Sequence, residues 1–201
     1  MTSELRPQEA LTGLSEPVDQ TDRAKPASPR SRVLTDAASG LTIEVAPHHC
    51  FACGALNEQG IHLDLHVDGD RCWTELTVAD RFQGWDGIAH GGIICTILDE
   101  VMAWSLAATD NWGLTARLNV DFKRPVRLGV PIRGEGWITT VRRRIVEAAA
   151  RIVDPESGDV LATATATYVA ADAARKAELQ ARYRFRLTPG TVGPIRDVSP
   201  A

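Results

Sequence analysis

The chain has 201 residues, 44% of them hydrophobic and 24% charged, and a formal net charge of −4. That length supports one domain with a proper core plus tails, and the slight acidity excludes a basic nucleic-acid-binding platform. No apolar run reaches membrane-spanning length, because Asp99-Glu100 interrupts the longest one soon after Gly92.

The N-terminal stretch carries Glu4, Glu9, Glu16, Asp19 and Asp22 without an apolar segment, a composition unlike a secretory signal or transit peptide. Cys50, Cys53, Cys72 and Cys95 are therefore expected as reduced thiols in a cytoplasm. Residues 1–40 are rich in Pro, Ser, Thr and charge without a sustained period, which predicts a flexible extension. The domain proper is expected over 41–170, followed by a C-terminal helix and tail over 171–201.

Within the domain, residues 41–60 read as an entry segment ending in a turn-rich loop. Ile61–Val67 alternates apolar and polar residues, as a half-buried strand does, and Asp68-Gly69-Asp70 supplies the turn into a second strand over Cys72–Ala79. Phe82–Leu106 is the centre of the chain. A glycine-punctuated loop leads into His90-Gly91-Gly92, and then a helix that is apolar nearly all round, a pattern that demands burial. Asp99 lies inside that apolar surface, and a buried carboxylate is costly unless paired or used. Glu100, about 100° further round the helix, reads as an interface or rim residue. Asp110 to Gly113 reads as a glycine-capped helix end.

Long strands follow over Leu114–Arg124, Pro131–Arg144, Ile145–Val153 and Asp159–Ala170. In the last of these, alanine alternates with Thr163, Thr165 and Thr167, so one small-residue face can press against the central helix. Asp172–Arg186 reads as a charged helix and 187–201 as a Pro/Gly tail. Strands joined without helical crossovers form an antiparallel sheet. The fold class is α+β: about five to six antiparallel strands wrapped round one long buried helix, with a C-terminal helical extension. A second subunit is expected to cover part of that helix.

Gly87-Ile88-Ala89-His90-Gly91-Gly92, the apolar helix with Asp99 nine positions after His90, and the strand Arg117-Leu118-Asn119-Val120-Asp121-Phe122-Lys123-Arg124-Pro125-Val126 together resemble hotdog-fold acyl-CoA thioesterases. The similarity is to the phenylacetate-pathway and 4-hydroxybenzoyl-CoA thioesterase-like branch, and it covers roughly residues 48–170. The resemblance implies hydrolysis of an acyl or aryl thioester, with no cofactor and no metal. Asp99 would act as general base or nucleophile, and Gly91 and Gly92 at the helix N-terminus would polarise the carbonyl. His90 would shape the loop, and Thr115 aligns with a small hydroxyl near the attacking water. Trp85, Asn119 and Arg124 are candidate substrate contacts. Some relatives place an asparagine six residues before the histidine. Here that position is Gly84, so Gln83 is the candidate amide. The expected partner is a small-molecule acyl-CoA, with no nucleic acid and no membrane, acted on by a homodimer or tetramer whose sites are shared between subunits. A non-hydrolytic acyl-CoA or lipid-like binder on the same fold is the alternative.

His48-His49-Cys50-Phe51-Ala52-Cys53-Gly54 has metal-like spacing. It lacks a second Cys-x-x-Cys, and ligands drawn from seven residues would strain a tetrahedral site. No metal is assigned on sequence grounds, and the loop reads as one that packs its thiols.

Overall fold

A computed structural model describes residues 31–107, 111–183 and 186–188, the last of these as backbone. Six strands form one antiparallel sheet: β3 (His66–Asp68), β4 (Arg71–Thr77), β5 (Gly113–Phe122), β6 (Pro131–Arg142), β7 (Ile145–Val153) and β8 (Val160–Ala170). Their spatial order is β3-β4-β6-β7-β8-β5. The sheet wraps α1 (Gly91–Ser105), which packs against β4, β5, β6, β7 and β8. Ile97, Leu98, Val101 and Met102 are fully enclosed, and the alanine face of β8 (Ala162, Ala164, Ala166) is buried beneath them. The helix sits so close to β6 that a Cβ at Gly136 would stand 2.6 Å from the Val101 carbonyl. Only glycine fits there.

The α+β architecture of the sequence reading holds, with six strands in the main sheet and α2 (Ala173–Tyr183) as the C-terminal helix. Four local readings change. The stretch 61–67 buries Leu63, Leu65 and Val67 as its alternation demands, yet only His66–Asp68 joins a ladder. His62 adopts a φ of 59°, and the Ile61 and Leu63 amides donate to the Phe51 and Ala52 carbonyls instead of to a neighbouring strand. Gly113 is the first residue of β5 and not a helix cap; a side chain there would strike the Val169 carbonyl. The strand expected over Pro131–Arg144 ends at Arg142, because the β6–β7 turn begins there and Arg143 takes a φ of 56°.

The fourth difference concerns the expected extension. β1 (Arg32–Thr35) pairs with β2 (Thr42–Val45), which pairs in turn with β9 (Arg186–Thr188) in a separate three-stranded sheet. Leu34, Ile43 and Val45 are buried, and these few apolar residues give the segment a reason to dock. Asp36 anchors the β1–β2 turn by accepting the Ser39 hydroxyl, the Ser39 amide and the Gly69 amide. Residues 1–30 and 189–201 lie outside the described residues.

Candidate active site

The loop before α1 is built for a tight entry. Gln83 and Ala89 form an antiparallel bridge, the His90 amide donates to the Phe82 carbonyl, and the Ala89 amide donates to the Val126 carbonyl. A Cβ at Gly84 would stand 3.0 Å from His90 Cα, a tight fit that any side chain here would have to relieve by a small shift. The Gln83 carboxamide oxygen accepts the Gly87 amide at 3.0 Å and closes its own loop. Trp85, at the loop's outer end, is 83% exposed.

His90 is the N-cap of α1, and its Nδ1 accepts the Gly92 amide at 2.9 Å. An N-cap of this kind satisfies one of the donors that a helix start leaves unpaired. Among the described residues no acceptor faces the Gly91 amide. The Gly91 amide is thus the open donor at the positive end of the helix, while the Gly92 amide is already used. The Phe122 ring of β5 lies against Gly91, where a Cβ would meet it at 3.4 Å.

Two turns further on, Asp99 is held by two hydroxyls. Its Oδ1 accepts Thr115 Oγ1 at 3.0 Å and Tyr168 OH at 2.9 Å, and the same tyrosine hydroxyl lies 3.0 Å from the Asp99 carbonyl. Oδ2 has no partner among the described residues. Tyr168 is 1% exposed. Burial, followed by the charge of Asp99 and their hydrogen bond, raises its phenol pKa well above the ordinary value, so it stays a donor. Sequence reasoning missed this residue, although it continues the buried register of Ala162, Ala164 and Ala166, and a buried tyrosine hydroxyl needs a partner. Asn119 is exposed on β5. Arg124 pairs with Asp159 beside a cavity of about 450 Å³ that Ile88 and Arg127 also line.

Glu100 is half-buried and lines a second cavity. It points toward the thiol loop, where Trp104 Nε1 donates to its Oε1 at 2.9 Å and Cys50 Sγ lies 4.0 Å from the same oxygen. Burial, then the neighbouring Cys50, pushes its pKa up to about 7. Cys50 is held low, to about 5, by the Cys53 thiol, with the Cys53 and Ala52 amides adding to the effect against burial. Cys53 is pushed far up by its bond to Cys50 and by burial. All four cysteines are free.

One sheet curled round a single buried helix whose N-terminus carries His-Gly-Gly is the hotdog fold. Residues 86–161 match the model of the thioesterase superfamily. Rat acyl-coenzyme A thioesterase THEM4 is 29% identical over 92 residues, covering 46% of this chain and 40% of the relative, so the chain spans less than half the length of that protein. Protein RHA08564, a thioesterase superfamily protein, superposes with a TM-score of 0.56 at 26% identity over 60% of each chain. A Streptococcus mutans protein solved with acetyl CoA shares the fold, with a TM-score of 0.52 at 19% identity over 59% of this chain and 97% of its own. No helix among the described residues is long and apolar enough to cross a membrane.

Proposed function

We propose that the chain is an acyl-CoA thioesterase in which Asp99 activates water, or attacks directly, and the Gly91 amide of a second copy holds the carbonyl oxygen. The observation that carries this reading is the division of labour at Asp99. Oδ1 is fixed by Thr115 and Tyr168, and Oδ2 is left open for a reactant. As a base, Oδ2 takes a proton from water while the water oxygen bonds to the thioester carbon. Collapse of the tetrahedral oxyanion breaks the C–S bond, and the departing thiolate recovers the proton from Asp99. As a nucleophile, Oδ2 instead forms an anhydride that water then opens. Label in Asp99 after a single turnover in oxygen-18 water would identify the anhydride route with water entering at the Asp99 carbonyl carbon, because the base route sends label only to the product acid.

Gly91 and Asp99 are eight residues apart on one helix, which is ~12 Å along its axis. One carbonyl cannot meet both from a single chain. A second copy running antiparallel along β5 brings its Gly91 toward this chain's Asp99. β5 pairs only with β8 among the described residues and exposes Leu114 and Phe122, an apolar sheet edge that invites pairing. Arg124 and Arg127 border the loop leading to His90 and offer cations for the phosphates of coenzyme A.

The test is thiol release from a panel of short, medium, long and aryl acyl-CoAs, with wild type beside Asp99→Asn. Turnover that falls by about 10³-fold in the variant, with the fold retained, supports the reading. Binding without hydrolysis by the wild-type chain across the panel would overturn it in favour of a ligand-binding protein.

A further inference from the structure

The second face of α1 carries a donor set that the Asp99 chemistry does not use. Cys50 Sγ, Cys53 Sγ and a Glu100 carboxylate oxygen all lie within 4.8 Å of one another. A tetrahedral zinc ion, with bonds of about 2.0–2.3 Å, holds its donors about 3.3–3.8 Å apart. The cluster therefore needs to contract by at most about 1–1.5 Å to close on a metal. Seven local residues alone would strain such a site. Folding supplies the missing remote ligand by turning Glu100 of α1 onto the loop.

The surroundings hold the loop and the carboxylate in place. Gly54 allows the loop to fold back, because a Cβ there would stand 2.4 Å from both the His48 carbonyl oxygen and the Cys50 amide nitrogen. The Gly54 amide closes the turn on the Cys50 carbonyl at 2.9 Å. Trp104 Nε1 donates to Glu100 Oε1 and fixes the carboxylate beside the thiol loop, with Cys50 Sγ 4.0 Å from the same oxygen. His48 is a supporting residue and not a ligand. Its Nδ1 accepts the Cys50 amide at 3.2 Å, which leaves the proton on Nε2, and Nε2 lies 4.0 Å from Cys53 Sγ. Donors of this kind orient a metal's ligands from behind. A divalent cation would offset the charge of the carboxylate and of the thiols that lose their protons on binding it.

From this geometry we infer that Cys50, Cys53 and Glu100 form a zinc site, with the fourth coordination position facing a cavity of about 640 Å³ that Trp104, Trp112 and Arg182 help to line. Three protein ligands with one open position is the arrangement in which zinc binds water or a small anion.

The full-length chain, purified under reducing conditions and dialysed against zinc and then metal-free buffer, should retain about one zinc per chain by mass spectrometry. Cobalt should replace it with a thiolate-to-cobalt charge-transfer band and the visible bands of a four-coordinate ion. Cys53→Ser and Glu100→Gln should each weaken zinc binding by about 10-fold or more, with circular dichroism confirming the fold. A wild-type chain that retains no zinc and gives no cobalt band would overturn the site, as would zinc content unchanged in Cys50→Ser. So would a Cys50–Cys53 disulfide that persists under the reducing conditions. The cobalt spectrum uses wild-type protein, so it decides the question even if a variant misfolds. None of these readouts depends on thioester hydrolysis.

Discussion

Asp99 and Glu100 are adjacent residues of the same type on one helix, and the molecule treats them in opposite ways. Asp99 faces β5 and β8, where two hydroxyls grip one oxygen and the other is open. Glu100 faces the thiol loop, where an indole N–H and two cysteines crowd it. The difference lies in what each face of α1 packs against. One face meets a sheet edge still able to accept a partner, the other a folded loop already closed over it. Two acids a residue apart thus meet different surroundings on the two faces of one helix.

The sharpest way to break this contrast is to remove the charge from the open face. Asp99→Asn keeps shape and burial while deleting the base, and hydrolysis should fall about 10³-fold with an unchanged thermal transition. Thiol release against a circular-dichroism melt checks both halves.

A substitution that leaves both carboxylates intact but spoils the open edge comes next. Leu114 is 74% exposed on β5, and Leu114→Arg places a charge where a second copy would pair. Sedimentation should find monomers, and specific activity in dilute protein should drop by roughly 10-fold or more and recover as concentration rises. Activity that ignores protein concentration would show that each chain works alone.

Tyr168→Phe is finer still. It removes one hydroxyl from Asp99 Oδ1 and leaves Thr115 in place. A hydrogen bond to a charged group contributes about 1.5–3 kcal/mol, so kcat should fall about 10-fold while KM changes little. A fall confined to KM would mean that the tyrosine serves binding and not the carboxylate's geometry.

Much of the open face was legible in the sequence. The apolar helix and the misplaced Asp99 follow from periodicity and the His-Gly-Gly entry from its motif, whereas Thr115 came only from the resemblance to hotdog-fold thioesterases. The closed face was not, because its parts are remote. Glu100 sits 47 residues after Cys53, and no local pattern says which side of α1 the loop will cover. Tyr168 stands between these cases. Its register was visible, but its partner depended on which strand lies beneath α1. The Ile61–Val67 stretch misled for a related reason. Its alternation reports burial correctly, but burial does not require a ladder, and here the amides go to the thiol loop.

A third carboxylate tests whether hydrogen bonding alone explains these differences. Asp36 is 1% exposed, and both its oxygens are taken, Oδ1 by the Gly69 amide and Oδ2 by the Ser39 amide and hydroxyl. Burial opposes its ionisation, but those bonds outweigh burial and hold its pKa below the ordinary 3.8. A depressed carboxylate contributes stability that is present above the unfolded value and is lost as pH falls through the folded one. The expected window is therefore below about pH 4. Asp36→Asn should lower stability by about 2 kcal/mol at neutral pH, since at least one buried donor loses its acceptor. It should also flatten the acid limb of the stability curve and leave thioester hydrolysis at its wild-type rate. Denaturant titrations at neutral and acid pH, with the acyl-CoA assay alongside, check all three. A loss of hydrolysis would mean that the three-stranded sheet anchored by Asp36 shapes the site. An unchanged rate would leave the open oxygen of Asp99 as what distinguishes the working acid from the structural one.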